Sequence, residues 1–183
     1  PITGAWRYFS PITIDNTANG ATLTDFQVPV TINTQTLISQ GKMNADGNDI
    51  RFTTSSGEML CYWIESGINS SSTLIWIKVP IIPAASSTTL TMQYGNPGAP
   101  AASDGDCTFL VFDDFNGTDI NPAKWQRYSS LSSNYSVTNG TITVSANNSD
   151  IAFRSSTILS APVTAEMKVD NVWGYWGNVS LLN

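Results

Sequence analysis

Apolar and polar residues alternate along this chain in short runs separated by clusters of Gly, Asn, Asp and Ser. The runs are 6–14, 26–32, 49–54, 59–65, 73–81 and 89–95, rich in Val, Ile, Thr, Tyr, Phe and Trp. In the fifth, Ile75, Ile77 and Val79 share one face and Trp76 and Lys78 the other, the period of a half-buried antiparallel strand. Cys61 and Trp63 likewise share one face of 59–65, with Tyr62 and Ile64 opposite. One short helix is expected at 34–40, ended by Gly41. Asp46-Gly47-Asn48 and Thr54-Ser55-Ser56-Gly57 carry turn chemistry, so 45–66 reads as a hairpin. The competing reading makes Asp46, Asn48 and Asp49 oxygen ligands for Ca²⁺, but an EF-hand loop also needs a distal Glu and flanking helices.

Residues 98–106 are small, Pro- and Gly-bearing and aperiodic, which predicts a linker. A second strand series follows at 107–115, 124–130, 135–146, 150–156, 163–170 and 177–182, with Asn139-Gly140 as a hairpin turn. The expected fold class is all-β: two antiparallel β-sandwich, jelly-roll-like units, 1–97 and 107–183. Six strands in the second unit leave unpaired edges and an uncovered apolar face. Either chain beyond Asn183 or a strand from another copy is expected to complete it.

Composition narrows the function classes. Among 183 residues, Ser and Thr number 43 and Asn 16, whereas charged residues make up only 12%, about half the usual share. The polar surface is thus built from hydroxyls and amides, which suits an extracellular or cell-surface β-protein. The net charge is −6, with eight scattered Lys and Arg, which argues against nucleic acid and anionic lipid as partners. No apolar run reaches the ~18–20 residues that span a bilayer, so no membrane insertion is expected here. The chain opens with Pro1, which reads as a mature or excised segment. His is absent, which removes Ser-His-Asp and Cys-His catalysis and every His-bearing metal site. Cys61 and Cys107 form either a disulfide or two buried thiols; spacing alone does not decide.

The order of Trp6-Arg7-Tyr8, Leu23 to Val28, Asp49-Ile50-Arg51-Phe52-Thr53, Trp76 to Pro80 and Tyr94-Gly95-Asn96-Pro97 resembles the domain-of-unknown-function family 2341 across about 5–97. The resemblance implies an exported, multidomain prokaryotic surface protein and transfers no catalytic residues. Phe112 to Asp119, Trp125 and the 139–144 hairpin resemble the start of concanavalin-A-like (laminin-G-like) jelly rolls.

Candidate chemistry is sparse. Glycoside cleavage requires two carboxylates ~5–9 Å apart, whereas Glu166 and Asp170 on one strand would be ~13 Å apart. Asp113, Asp114 and Asp119 are the Ca²⁺ candidates, opposed by the fact that adjacent strand residues point to opposite faces. Trp173, Tyr175 and Trp176, flanked by glycines, are the glycan-binding candidates, with a capping role in the core as the competing reading. Trp6, Trp63, Trp76 and Trp125 are expected in the core. Sequons at Asn69, Asn116, Asn134, Asn139, Asn147 and Asn178 are N-glycosylation candidates. The expected function is a non-enzymatic structural or adhesive module of a cell-surface or filament-forming protein. Its expected partners are other copies or other surface proteins. A lectin-like module is the alternative, and a hydrolase ranks third.

Overall fold

A computed structural model describes residues 5–128, 135–144, 152–160 and 163–165. The chain divides into two compact units, 1–114 and 115–183.

The first unit is an antiparallel β-sandwich. One sheet has the order β1–β6–β3, from Tyr8–Asp15, Ser87–Tyr94 and Arg51–Thr53. The other has the order β2–β5–β4, from Leu23–Ile32, Thr73–Ile82 and Tyr62–Ser66. The predicted alternation decides which side chains meet between the sheets. Ile75, Ile77 and Val79 of β5 are buried against Phe52, Leu90 and Met92 of the opposite sheet, with Ile50 and Tyr62 in the same core. Burying a side chain of this size contributes about 1.5–3 kcal/mol. The expected helix forms as α1 (Thr34–Ser39), capped by the Asn33 side chain, which accepts from the Thr36 amide at 3.0 Å. Such a cap satisfies one of the orphan donors of the first turn.

β5 is central, yet it holds Pro80, which has no N–H to give its neighbour. Opposite lies Asp25, at φ +48°, and its carbonyl accepts instead from the Gln27 side-chain amide at 3.0 Å. The phase of the strand slips there: Ile81 is exposed and Ile82 buried. Pro11 and Pro29 lie on β1 and β2, strands with one partner each among the described residues, where a missing donor is tolerated.

The 45–66 stretch is not a simple hairpin. Leu60 N–H does donate to Phe52 O at 2.9 Å, and Thr53 bridges Met59. Past that point the chain crosses sheets, so β3 pairs with β6 whereas β4 pairs with β5. Tyr62, at the crossing, supplies a core ring edge-on to Phe52 at 5.1 Å.

The expected linker 98–106 packs as part of the first unit, and the chain divides after Asp114. Its composition lacks periodicity because it is neither strand nor long helix: it is a strap held by point contacts. Asp104 N–H donates to Tyr62 O at 2.8 Å, and Ser103 Oγ accepts from Ile64 N–H at 2.8 Å. The 107–115 run, expected as a strand, instead begins in the one-turn helix α2 (Gly105–Thr108). The Asp104 carboxylate caps it by accepting from Cys107 N–H at 3.0 Å. Cys61 and Cys107 are disulfide-bonded with Cα atoms 5.6 Å apart.

In the second unit the described residues form two two-stranded antiparallel sheets. β7 (Trp125–Tyr128) pairs with β10 (Ala152–Ser155), and β8 (Tyr135–Thr138) with β9 (Thr141–Val144). The Asn139-Gly140 turn is as expected, with φ +51° and +77°, the left-handed pair that suits the twist of a two-residue hairpin. Residues 163–165 are not in a strand, and 177–182 lie outside the described residues.

Candidate functional site

Two neighbouring charged residues, Asp49 and Arg51, are buried where β3 begins, at 1% and 5% exposure. A charge in such a place is costly unless hydrogen bonds replace its water. The Asp49 carboxylate accepts from Asn44 N–H at 2.9 Å and from Gly95 N–H at 3.0 Å. The Arg51 guanidinium donates to the carbonyls of Asn48 (2.9 Å), Ile50 (2.6 Å) and Pro100 (2.6 Å). Its carbon also lies 5.4 Å from the centre of the Trp6 ring, a cation–π arrangement. Tyr62 completes the cluster by donating its hydroxyl to Ile50 O at 2.7 Å. Burial pushes that hydroxyl above the usual tyrosine range, with the Arg51 charge acting the other way.

This cluster joins three of the five sequence blocks. Asp49 holds the turn at Gly95, which sits at φ +82° and where a Cβ would overlap the Tyr8 ring. Tyr8 and Tyr94 stack with centroids 5.3 Å apart. Trp6 lies over Arg51. The charges therefore fix backbone in place: Asp49 gathers the 44 and 95 loops, and Arg51 draws in the strap. A shallow pocket of about 250 Å³ opens beside them, lined by Arg51, Met59, Leu60, Tyr62, Asp104 and the disulfide. That is below the ~300–1,000 Å³ of ordinary small-molecule sites.

On the outer face of the β2–β5–β4 sheet the strap builds an aromatic cluster. Phe112 meets Trp63 edge-on at 4.7 Å, and Phe109 meets Trp63 at 5.9 Å and Trp76 at 5.6 Å. Gly105 lies so close to the Phe112 ring that a Cβ there would overlap it. Trp76 Nε1–H donates to the Glu65 carboxylate at 2.5 Å, and Gln27 donates to Thr108 O at 3.0 Å. The strap thus covers Trp63 and Trp76 on that face and the free side of β4.

Trp63 and Trp76 are half-buried on this outer face, and Trp6 and Trp125 are half-buried too. The core of the first unit is aliphatic with Phe52, Tyr62 and Tyr94, which corrects the expectation that Trp6, Trp63 and Trp76 anchor it. The physical reason is the pleat: the core side of β4 and β5 belongs to Tyr62, Ile75 and Ile77, so their tryptophans point outward.

The other candidates fall as follows. The Asp46 carboxylate accepts from Asn48 N–H at 3.0 Å and from its side-chain amide at 2.7 Å. Asp46 thus serves its own turn, whereas Asp49 bonds Asn44 and Gly95. Among the described residues no three His, Cys, Asp or Glu side chains lie together as a metal site; of the Ca²⁺ candidates, Asp113 and Asp114 end the first unit and Asp119 belongs to the second. Asp119 instead accepts from the Tyr135 hydroxyl and from Ile120 N–H. The Tyr135 bond, and then the backbone bond, hold its carboxyl below the ordinary aspartate range, while the same bond raises Tyr135. Asn69, Asn116 and Asn139 are exposed. Asn134, Asn147, Asn178, Trp173, Tyr175, Trp176, Glu166 and Asp170 lie outside the described residues.

Asp49 and Arg51, two residues of one predicted strand, were readable in a chain with so few charges. Their role was not, because the partners, Gly95 and Pro100, are distant in sequence and contribute only backbone atoms.

Residues 46–128 match the family model of a domain of unknown function, DUF2341. The match begins in the Asp46 turn, includes the Asp49–Arg51 cluster and the whole strap, and ends with β7. It leaves out the Trp6 and Leu23–Val28 blocks, so the resemblance expected over 5–97 is shown from residue 46 onward. No curated protein and no solved structure matches the chain.

Proposed function

We propose that the chain is a non-enzymatic extracellular module of a cell-surface or filament-forming protein, acting through protein–protein contacts with other copies or other surface proteins. The observation that carries this reading is the fate of the buried charge. Asp49 and Arg51 are both engaged by backbone groups, and Arg51 also by an indole face, which gives them an architectural role. A disulfide that staples a long strap suits an oxidising, extracellular setting. The hydroxyl-rich surface, with charge of either sign scarce, suits contacts made through strand edges and turns.

Strand pairing supplies the mode of contact. β1 and β2 each have one partner among the described residues, and such edges offer main-chain donors and acceptors to an incoming strand. A jelly-roll reading of the second unit belongs to the same proposal, with its two strand pairs completed by further strands. Sedimentation velocity over a concentration series tests it, with a glycan array run alongside. Concentration-dependent association, or capture of a surface protein, is expected. A chain that stays monomeric throughout, and is retained on glycans, would favour the lectin-like alternative.

A further inference from the structure

The sequence contains three Asn-Gly steps, Asn19-Gly20, Asn116-Gly117 and Asn139-Gly140. At such a step the following backbone nitrogen can attack the asparagine side chain, because glycine has no Cβ to crowd the five-membered ring that forms. We propose that Asn19 is a self-modification site, where the folded chain converts asparagine to aspartate and isoaspartate through a cyclic imide.

The loop between β1 and β2 is built for this attack. The Asn19 side-chain oxygen accepts from Ala21 N–H at 3.0 Å, closing a turn over Gly20 that keeps the side-chain carbonyl folded toward the backbone that follows it. The same Ala21 N–H points at the oxygen on which negative charge develops during attack, as an oxyanion-hole donor does. Gly20 N–H donates to no group among the described residues, and a Cβ added at Gly20 would meet nothing within 4 Å. Water therefore reaches the nitrogen to remove its proton. At Asn139 the geometry is opposed, because Gly140 N–H donates to Phe115 O at 3.1 Å and must break that bond before it can attack.

The step balances without an oxidant. The Gly20 nitrogen gives its proton to water or hydroxide, and its lone pair forms the bond to the side-chain carbonyl carbon. The bond to the side-chain nitrogen breaks, and that nitrogen takes a proton from water and leaves as ammonia. Water then opens the imide at either carbonyl, giving Asp or isoAsp. The product changes the loop. The Asn19 carbonyl accepts from Ala85 N–H at 2.8 Å, and nearby Asn16 donates to Ala21 O and Pro83 O. IsoAsp reroutes the main chain through an extra methylene and displaces that carbonyl. The net charge moves from −6 to −7, since −6 − 1 = −7.

The test is peptide mapping of the whole chain after incubation in mildly alkaline buffer, where deamidation adds about 1 Da. Conversion at Asn19 is expected to run about ten-fold ahead of Asn139 in the folded chain, with the two rates close together in denaturant. Gly20→Ala should slow Asn19 by roughly ten-fold while leaving the circular dichroism unchanged, since the site is open and its backbone is not left-handed. Independently of that variant, isoaspartyl methylation of wild-type protein should label the peptide spanning 16–22 ahead of the peptide that holds Asn139. Equal folded rates at Asn19 and Asn139, a ratio that persists in denaturant, or an unchanged rate in Gly20→Ala would overturn the proposal.

Discussion

Removing the Asp49 carboxylate would strand the amides of Asn44 and Gly95, of which the second is fully enclosed. Each orphaned buried donor costs about 1–3 kcal/mol, so Asp49→Ala is expected to lower unfolding stability by roughly 2–5 kcal/mol. Urea denaturation measures this directly, and a loss within about 0.5 kcal/mol, typical of surface substitutions, would show the carboxylate to be dispensable. Asp119 offers a milder case because it is exposed. Its carboxyl is held below the ordinary aspartate range by Tyr135, so its contribution is present above the unfolded pKa and is lost as pH falls through the lower folded value. Tyr135→Phe should therefore raise the Asp119 titration toward its ordinary value in an NMR pH series. An unmoved titration would remove the hydrogen bond as its cause.

At the scale of elements, the strap tests how glycine and the disulfide share one task. Gly105→Ala places a methyl group against the Phe112 ring, and overpacking of this kind costs about 1–3 kcal/mol. The ring must move, so the near-ultraviolet dichroism of the Trp63–Phe109–Phe112 cluster should weaken while the far-ultraviolet spectrum stays β. An unaltered near-ultraviolet signal would mean that the cluster does not depend on close approach at residue 105. Replacing both cysteines by alanine opens a closure of 46 residues and should cost roughly 3–4 kcal/mol, mainly by freeing the unfolded chain. Hydrogen exchange should then quicken at 103–108 before it does in β5. The strands were legible from period two, as Ile75, Ile77 and Val79 show, and the Asn139-Gly140 hairpin from turn chemistry. The strap was not. Its anchors are single residues, Ser103, Asp104, Cys107 and Phe109, whose partners lie up to 46 positions away, and no local pattern encodes that. Composition marked 98–106 as aperiodic, and 98–104 is irregular backbone before α2, but irregular backbone held by distant contacts has the same local signature as a linker.

For the whole molecule, the claim on which the rest depends is that the first unit is a sandwich closed by its own strap, with Arg51 and the disulfide joining the two. A chain ending after Pro97 would leave Arg51 without the Pro100 carbonyl, β4 without its outer partners and Trp63 and Trp76 uncovered. A chain ending after Asp114 retains all of these. The most direct measurement is thermal unfolding of these two truncations under non-reducing conditions, followed by tryptophan fluorescence. The 1–114 chain is expected to unfold in one cooperative transition, and the 1–97 chain to unfold well below it or to lack a sharp transition. Equal midpoints and equal cooperativity would contradict the assignment of the strap to the first unit.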